Sequence, residues 1–163
     1  YYYSNDQDKN LINIASQSHG SDSSNVMFQE ERYYSYHGTA PTQLIRVKNG
    51  RDTIYIQFTT EQHGWIAEEK WLEKGKLLET YYYYYNDNGQ LTDIARYNKE
   101  ARMILPDYTF EYEKDRLMSM TTVDNVSKEY HIWKYTYNDN GLKNTETIFN
   151  KNKQVEAKFI YKY

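Results

Sequence analysis

Apolar and polar residues alternate with period two over much of this chain, which is the pattern of half-buried β-strands. The clearest run is at the C-terminal end, where Val155, Ala157, Phe159, Tyr161 and Tyr163 fall on one face and Glu156, Lys158 and Lys162 on the other. Tyr108, Phe110 and Tyr112 repeat that phase, as do Trp133, Tyr135 and Tyr137, and Ile54, Ile56 and Phe58. Turn signals interrupt the runs at short, nearly even intervals, around Gly38, Gly50, Gly64, Gly75, Gly89, Lys99, Asp115, Asn125, Gly141 and Asn152. That spacing predicts an all-β antiparallel meander of about twelve strands. Leu91, Leu117 and Leu142 open the return strands just after turns. Trp65 to Leu72 contains good helix formers followed by Gly75. The turn spacing nevertheless requires a strand there, and Trp65, Ala67, Glu69 and Trp71 alternate acceptably.

The strands belong to a repeat. Tyr85-Asn86-Asp87-Asn88-Gly89 returns as Tyr137-Asn138-Asp139-Asn140-Gly141, 52 residues later. Phe110 to Asp115 holds the intermediate place, so Tyr85, Tyr112, Tyr137 and Tyr163 are spaced by 27, 25 and 26 residues. The unit is therefore a two-strand hairpin of about 26 residues, and residues 1–163 form a single β-repeat domain. Upstream, Phe58, Tyr36 and Tyr3 extend the series less regularly, and the polar stretch Ser16 to Asn25 reads as a mobile loop inserted into one unit. A dozen strands at about 4.8 Å each would stretch roughly 55 Å, with accumulated twist well over about 200°. A strongly twisted, coiled single sheet or a wide open barrel is expected.

Composition explains how such a chain folds. Leu, Ile, Val and Phe together number only 30 of 163 residues, a level typical of disordered chains. The formal charge is only −3, however, and 20 Tyr with 3 Trp supply apolar area. The core should be aromatic. With 20 basic against 23 acidic residues, nothing favours nucleic acid as a partner. No apolar run approaches the length of a transmembrane helix. The absence of Cys fits either the cytosol or a disulfide-free exported protein. The first residue is Tyr1 rather than Met, which predicts a processed N-terminus and allows a lost signal or lipid anchor.

Tyr-x-Tyr-Asn-Asp-x-Gly with Leu after the turn, seen at Tyr83 to Leu91, at Tyr135 to Leu142 and more weakly at Phe110 to Leu117, resembles the YD-repeat of the Rhs family. The resemblance implies hairpin repeats in an exported or cell-surface bacterial protein, extracellular, periplasmic or anchored to the outer membrane, in a family described as carbohydrate-binding. The spacing is longer than the usual YD unit, no Gly-Arg-Leu follows the turns, and no core or toxin segment follows the repeats. The chain looks more like a short stand-alone lipoprotein than an enclosing shell. MORN-like repeats, with Glu-Asn-Gly turns and aromatic strands, are a second resemblance.

Catalytic groupings are sparse. Glu111 and Glu113 lie on one strand face about 6.6 Å apart, a spacing reminiscent of a glycosidase pair, but on the charged face. Ser18, His19 and Asp22 combine triad residue types within a single loop, whereas triads draw on separate rigid elements. Asp6, Asp8 and Asn10 imitate a calcium loop that fails at Leu11 and Gln17. His19, His37, His63 and His131 lack metal-ligand spacing. The Asn125-Val126-Ser127 sequon is a chance-level motif. No cofactor or metal is expected, and the chain is expected not to be an enzyme.

The aromatic distribution carries more. Alternation in Tyr81 to Tyr85 sends Tyr82 and Tyr84 away from the core face; Tyr55 shares their phase, and so does Tyr33. Tyr55, Tyr82 and Tyr84 form the candidate binding patch, although outward tyrosines also stabilise sheets as cross-strand pairs. Trp65, Trp71 and Trp133 are read as core. The leading expectation is a non-enzymatic surface module that binds protein or glycan. The alternatives are a structural fragment pairing edge to edge, a carbohydrate-active enzyme, and a lipid-binding half-barrel.

Overall fold

The computed structural model describes the backbone of residues 2–5, 11–19, 26–124 and 127–163. Its strands are β1 (Tyr2–Asn5), β2 (Leu11–His19), β3 (Val26–His37), β4 (Ala40–Lys48), β5 (Asp52–Thr60), β6 (Ile66–Glu73), β7 (Lys76–Tyr85), β8 (Leu91–Asn98), β9 (Met103–Glu113), β10 (Arg116–Asp124), β11 (Glu129–Tyr137), β12 (Lys143–Asn150) and β13 (Val155–Ile160). Sheet order is sequence order, so the fold is the expected all-β antiparallel meander, open rather than closed into a barrel. One strand more than about twelve is present because the N-terminal segment breaks into β1 and β2. The helix-prone Trp65 to Leu72 stretch is strand from Ile66 onward, held by the ladder to β5. Ser16 to His19, expected in the polar insertion, instead continue β2 and pair with β3. The rest of that insertion, the Asp6 to Asn10 stretch, Asp22, and Asn125-Val126 of the sequon lie outside the described residues.

The hairpin period has a structural cause beyond its turns. Opposite each first strand of β3/β4, β5/β6, β9/β10 and β11/β12, the returning strand carries one unpaired extra residue, Thr42, Ala67, Met118 and Asn144 respectively. Successive bulges lie one, two and one repeats apart, so they keep the period of the turns. Each bulge adds local twist and resets which face follows the turn. Both prolines exploit such interruptions, since a proline cannot donate to a ladder. Pro41 lies beside the β3/β4 bulge and Pro106 beside the one in β8/β9.

A second device recurs in the turns. In Glu61–Trp65, Asn86–Gln90, Asn138–Leu142 and Asn150–Gln154 the first N–H donates to the fifth carbonyl and the fourth N–H to the first. Where Asn leads, its Oδ1 also accepts the fifth N–H, a side-chain mimic of the turn itself. The fourth residue has positive φ: Gly64 at 81°, Gly89 at 76°, Gly141 at 80°, but Lys153 at 61°. Lys153 therefore carries strain that its three counterparts avoid. Lys153→Gly is expected to stabilise the protein by up to about 1 kcal/mol, as the lost strain outweighs the added unfolded-state freedom. A rise in urea midpoint at constant slope would register it.

The chain divides into two compact units, residues 1–81 and 82–163. In the first, Tyr34, Leu44, Ile56 and Trp71 stand opposite one another across four strands and form its apolar row, with Ile56 only 3% exposed. In the second, Phe110, Met120, Trp133, Ile148 and Ala157 make the corresponding row across five strands. Tyr135 beside it is 8% exposed. No large side chain among the described residues is fully buried. Each unit therefore has one better-packed face without a fully enclosed large side chain among the described residues.

Tyrosine hydroxyls and turn amides tie neighbouring repeats together. Tyr137 Oη donates to the Leu117 carbonyl at 2.7 Å, and Gln90 Nε2 to the Lys114 carbonyl at 2.6 Å. The recurrent tyrosines thus serve the repeat through their polar tips as well as their rings. One expected face assignment fails at a bulge. Ala157 opposes Ile148 but Val155 opposes Phe149, so the register shift moves Val155 off the aromatic face. Glu156, expected to face away, reaches His131 at 3.1 Å.

Candidate functional site

Tyr55 lies in the middle of β5, opposite Ile45 on one side and Leu72 on the other, and Ile45 in turn opposes Tyr33. Cross-strand partners share a face, so Tyr33 and Tyr55 stand on the same side of the first unit, two strands or about 10 Å apart. They are 43% and 42% exposed, and the intervening residues Leu44 and Ile56 are buried on the other side. Gln43 and Gln57 continue the outward face as a neighbouring polar row. Tyr33 Oη donates to Glu31 Oε2, which fixes the ring; that hydrogen bond, with burial and the nearby charge, raises the phenol above its ordinary value.

Tyr82 and Tyr84 belong to the second unit and Tyr55 to the first. Tyr84 is 46% exposed, while Tyr82 is half-buried. The Tyr84 carbonyl accepts a hydrogen bond from Thr92 Oγ1 at 3.2 Å, which ties β7 to the strand after the turn. The tryptophans are occupied in packing. Trp71 lies 5.5 Å from Tyr81 and donates to Glu69, and Trp65 stacks on His63 at 4.8 Å. Trp133 sits in the apolar row with its indole N–H buried and without an acceptor among the described residues.

Two clusters of charge were not visible as sites in the sequence. Glu30 is 4% exposed and lies between Arg32, which reaches its Oε1 at 2.6 Å, and Arg46, which reaches its Oε2 at 2.9 Å. Burial works against the Glu30 charge, but the hydrogen bonds from Arg46 and Arg32 outweigh it and hold the carboxyl below its usual range. In the second unit, Lys143 Nζ lies 4.7 Å from the Tyr135 ring and 5.3 Å from the Tyr161 ring, and 2.9 Å from Glu146 Oε2. Tyr161 Oη donates to the same carboxylate oxygen at 3.0 Å. The hydrogen bond to Glu146 raises the Lys143 ammonium, and burial raises the Tyr135 phenol. The only sequence signal for either cluster was a charged residue in the apolar phase of a strand.

The carboxylates considered for catalysis are spoken for or open to solvent. Glu111 accepts from Ser119 Oγ at 2.6 Å, and Glu113 stands exposed opposite Arg116. Among the described residues no three His, Cys, Asp or Glu side chains gather to hold a metal ion, and no helix is long and apolar enough to cross a membrane. No protein-family model matches the chain, and no curated protein matches it in sequence. The resemblance to YD and MORN repeats therefore rests on the turn motifs and aromatic strands alone, while the fold itself is an all-β sheet of repeated hairpins.

Proposed function

We propose that this chain is a non-enzymatic hairpin-repeat module, of the YD-repeat kind, that works in an exported or cell-surface setting by binding a protein or glycan through its outward tyrosines. The observation that carries this reading is the exposure of Tyr33 and Tyr55 on the face opposite Leu44 and Ile56. Rings held in strands, with their hydroxyls at the solvent boundary, lose little entropy on binding. Tyr84 is one of the exposed rings of the second unit, with Tyr82 near it in the same strand. Pairing through a sheet edge is the weaker reading. The outer edge strand β13 carries Lys158 and a bulge at Glu156, both of which discourage strand addition.

Tyr55→Ala and the pair Tyr82→Ala with Tyr84→Ala are expected to weaken binding in glycan-array and pull-down assays at least tenfold. Stability should change by no more than about 1 kcal/mol for each exposed ring. Blank arrays and blank pull-downs with the unaltered protein would remove the binding reading. Hydrolysis of a glycan abolished by Glu111→Gln would replace it with an enzymatic one.

A further inference from the structure

Alternate turns of an antiparallel meander lie at the same end of the sheet, and in the second unit the two ends differ in charge. The β8/β9, β10/β11 and β12/β13 turns carry Lys99, Arg102, Lys128, Lys151 and Lys153 against Glu100. The opposite turns carry Asp87, Asp115 and Asp139 against Lys114. Acidic residues flank the basic end: Asp124 accepts the Ser127 N–H, Glu129 pairs with Lys151 and Glu100 lies 3.5 Å from Lys128, so the excess positive charge of this edge rests on Lys99, Arg102 and Lys153.

Backbone strain marks the same end. Arg102, Lys128 and Lys153 adopt φ of 55°, 61° and 61°, a cation in every turn of this end, whereas at the acidic end glycine fills that position in two turns and Lys114, at 55°, in the third. A long cation in the left-handed region costs stability that glycine would not, and such outliers concentrate where a side chain serves a function. The charge is also not alone. Tyr97, Met103, Ile104 and Val155 are exposed apolar residues directly beside these turns. The first unit repeats the arrangement by itself, with Lys74 at φ 49° and Lys76 followed by exposed Leu77 and Leu78.

We propose that this turn edge of the second unit docks on an anionic phospholipid surface. Cations two strands apart, about 10 Å, do not converge on a single phosphate, so a pocket for a free anion is not what they build. A plane of many headgroups satisfies each cation separately, and the apolar side chains behind the tips enter the interfacial layer. The long stems of Lys and Arg suit that boundary, with aliphatic carbon inward and charge at the phosphates. A nucleic acid or other soluble polyanion would use the cations but leave Met103, Ile104 and Val155 without a role. The inference does not depend on the outward tyrosines.

The test is co-sedimentation of the whole chain with vesicles of phosphatidylcholine alone or mixed with phosphatidylglycerol. Binding is expected only to the mixed vesicles, falling as salt rises. The triple variant Arg102→Gly, Lys128→Gly, Lys153→Gly should lose binding at least tenfold, since each cation near an anionic bilayer is worth about a fivefold change in partition. Its urea midpoint should hold or rise, which separates lost docking from lost folding. Met103→Ser with Ile104→Ser should weaken binding without altering its salt dependence. No sedimentation at low salt, equal binding by the triple variant, or retention on heparin without vesicle binding would each overturn the proposal.

Discussion

Tyr135→Ala is expected to destabilise the second unit by about 3 kcal/mol, measured as a lower urea midpoint of its fluorescence transition. Tyr135 is the best-buried aromatic of that unit among the described residues, and its ring carries the Lys143 ammonium on its face. Removing the ring gives up its buried apolar area and uncovers the side chains packed around it. It also takes one of two aromatic partners from Lys143, leaving Tyr161 and Glu146 to hold the cation. Tyr135→Phe keeps the ring and should cost far less. Similar losses in the two variants would mean that the hydroxyl, rather than the ring, carries the stability.

Glu30→Ala is expected to cost the first unit about 3 kcal/mol, since deleting one member of a buried ion cluster leaves uncompensated charge. The value sits at the low end of the usual ~3–5 kcal/mol because Arg32 reaches solvent. The cluster also bears on register. Arg32 and Arg46 are direct cross-strand partners, with Glu30 two residues before Arg32 on the same face. A one-residue slip of β3 against β4 would send the carboxylate and one guanidinium to opposite faces. The pH dependence has a definite sign. The folded Glu30 pKa lies below its unfolded value, so its contribution is complete above the unfolded carboxylate pKa and is lost as pH falls through the folded one. Acid titration of the urea midpoint should therefore be steeper in the unaltered protein than in Glu30→Ala.

The sequence exposed the features carried by recurring residue types and hid those that only strand register or topology sets. Turn spacing, the Asn-led loops and the aromatic phase sufficed for a meander of hairpins because each is a local signal that returns with every repeat. Tyr33 and Tyr55 were legible as outward rings for the same reason, since period-two alternation leaves no choice of face between bulges. The bulges themselves were not legible. Thr42, Ala67, Met118 and Asn144 share no residue type, and the shift at Glu156 turned Val155 away from the face that alternation assigned it. Nor did apolar alternation anticipate Glu30 with Arg32 and Arg46, because a charge in the apolar phase is recognised only when its partner's register is known. The cationic turn edge escaped for a related reason. Net charge is nearly balanced over the chain, and only the topology separates basic turns from acidic ones.

Each unit divides its tyrosines between a packed face and an open one. Tyrosine nitration of the native protein, followed residue by residue by mass spectrometry, tests that division most directly. Tyr33, Tyr55 and Tyr84 are expected to react early and Tyr135 last, in the order of their exposure. Protection of Tyr55 and Tyr84 equal to that of Tyr135 would contradict the account, because it would mean that a second layer covers the outward face.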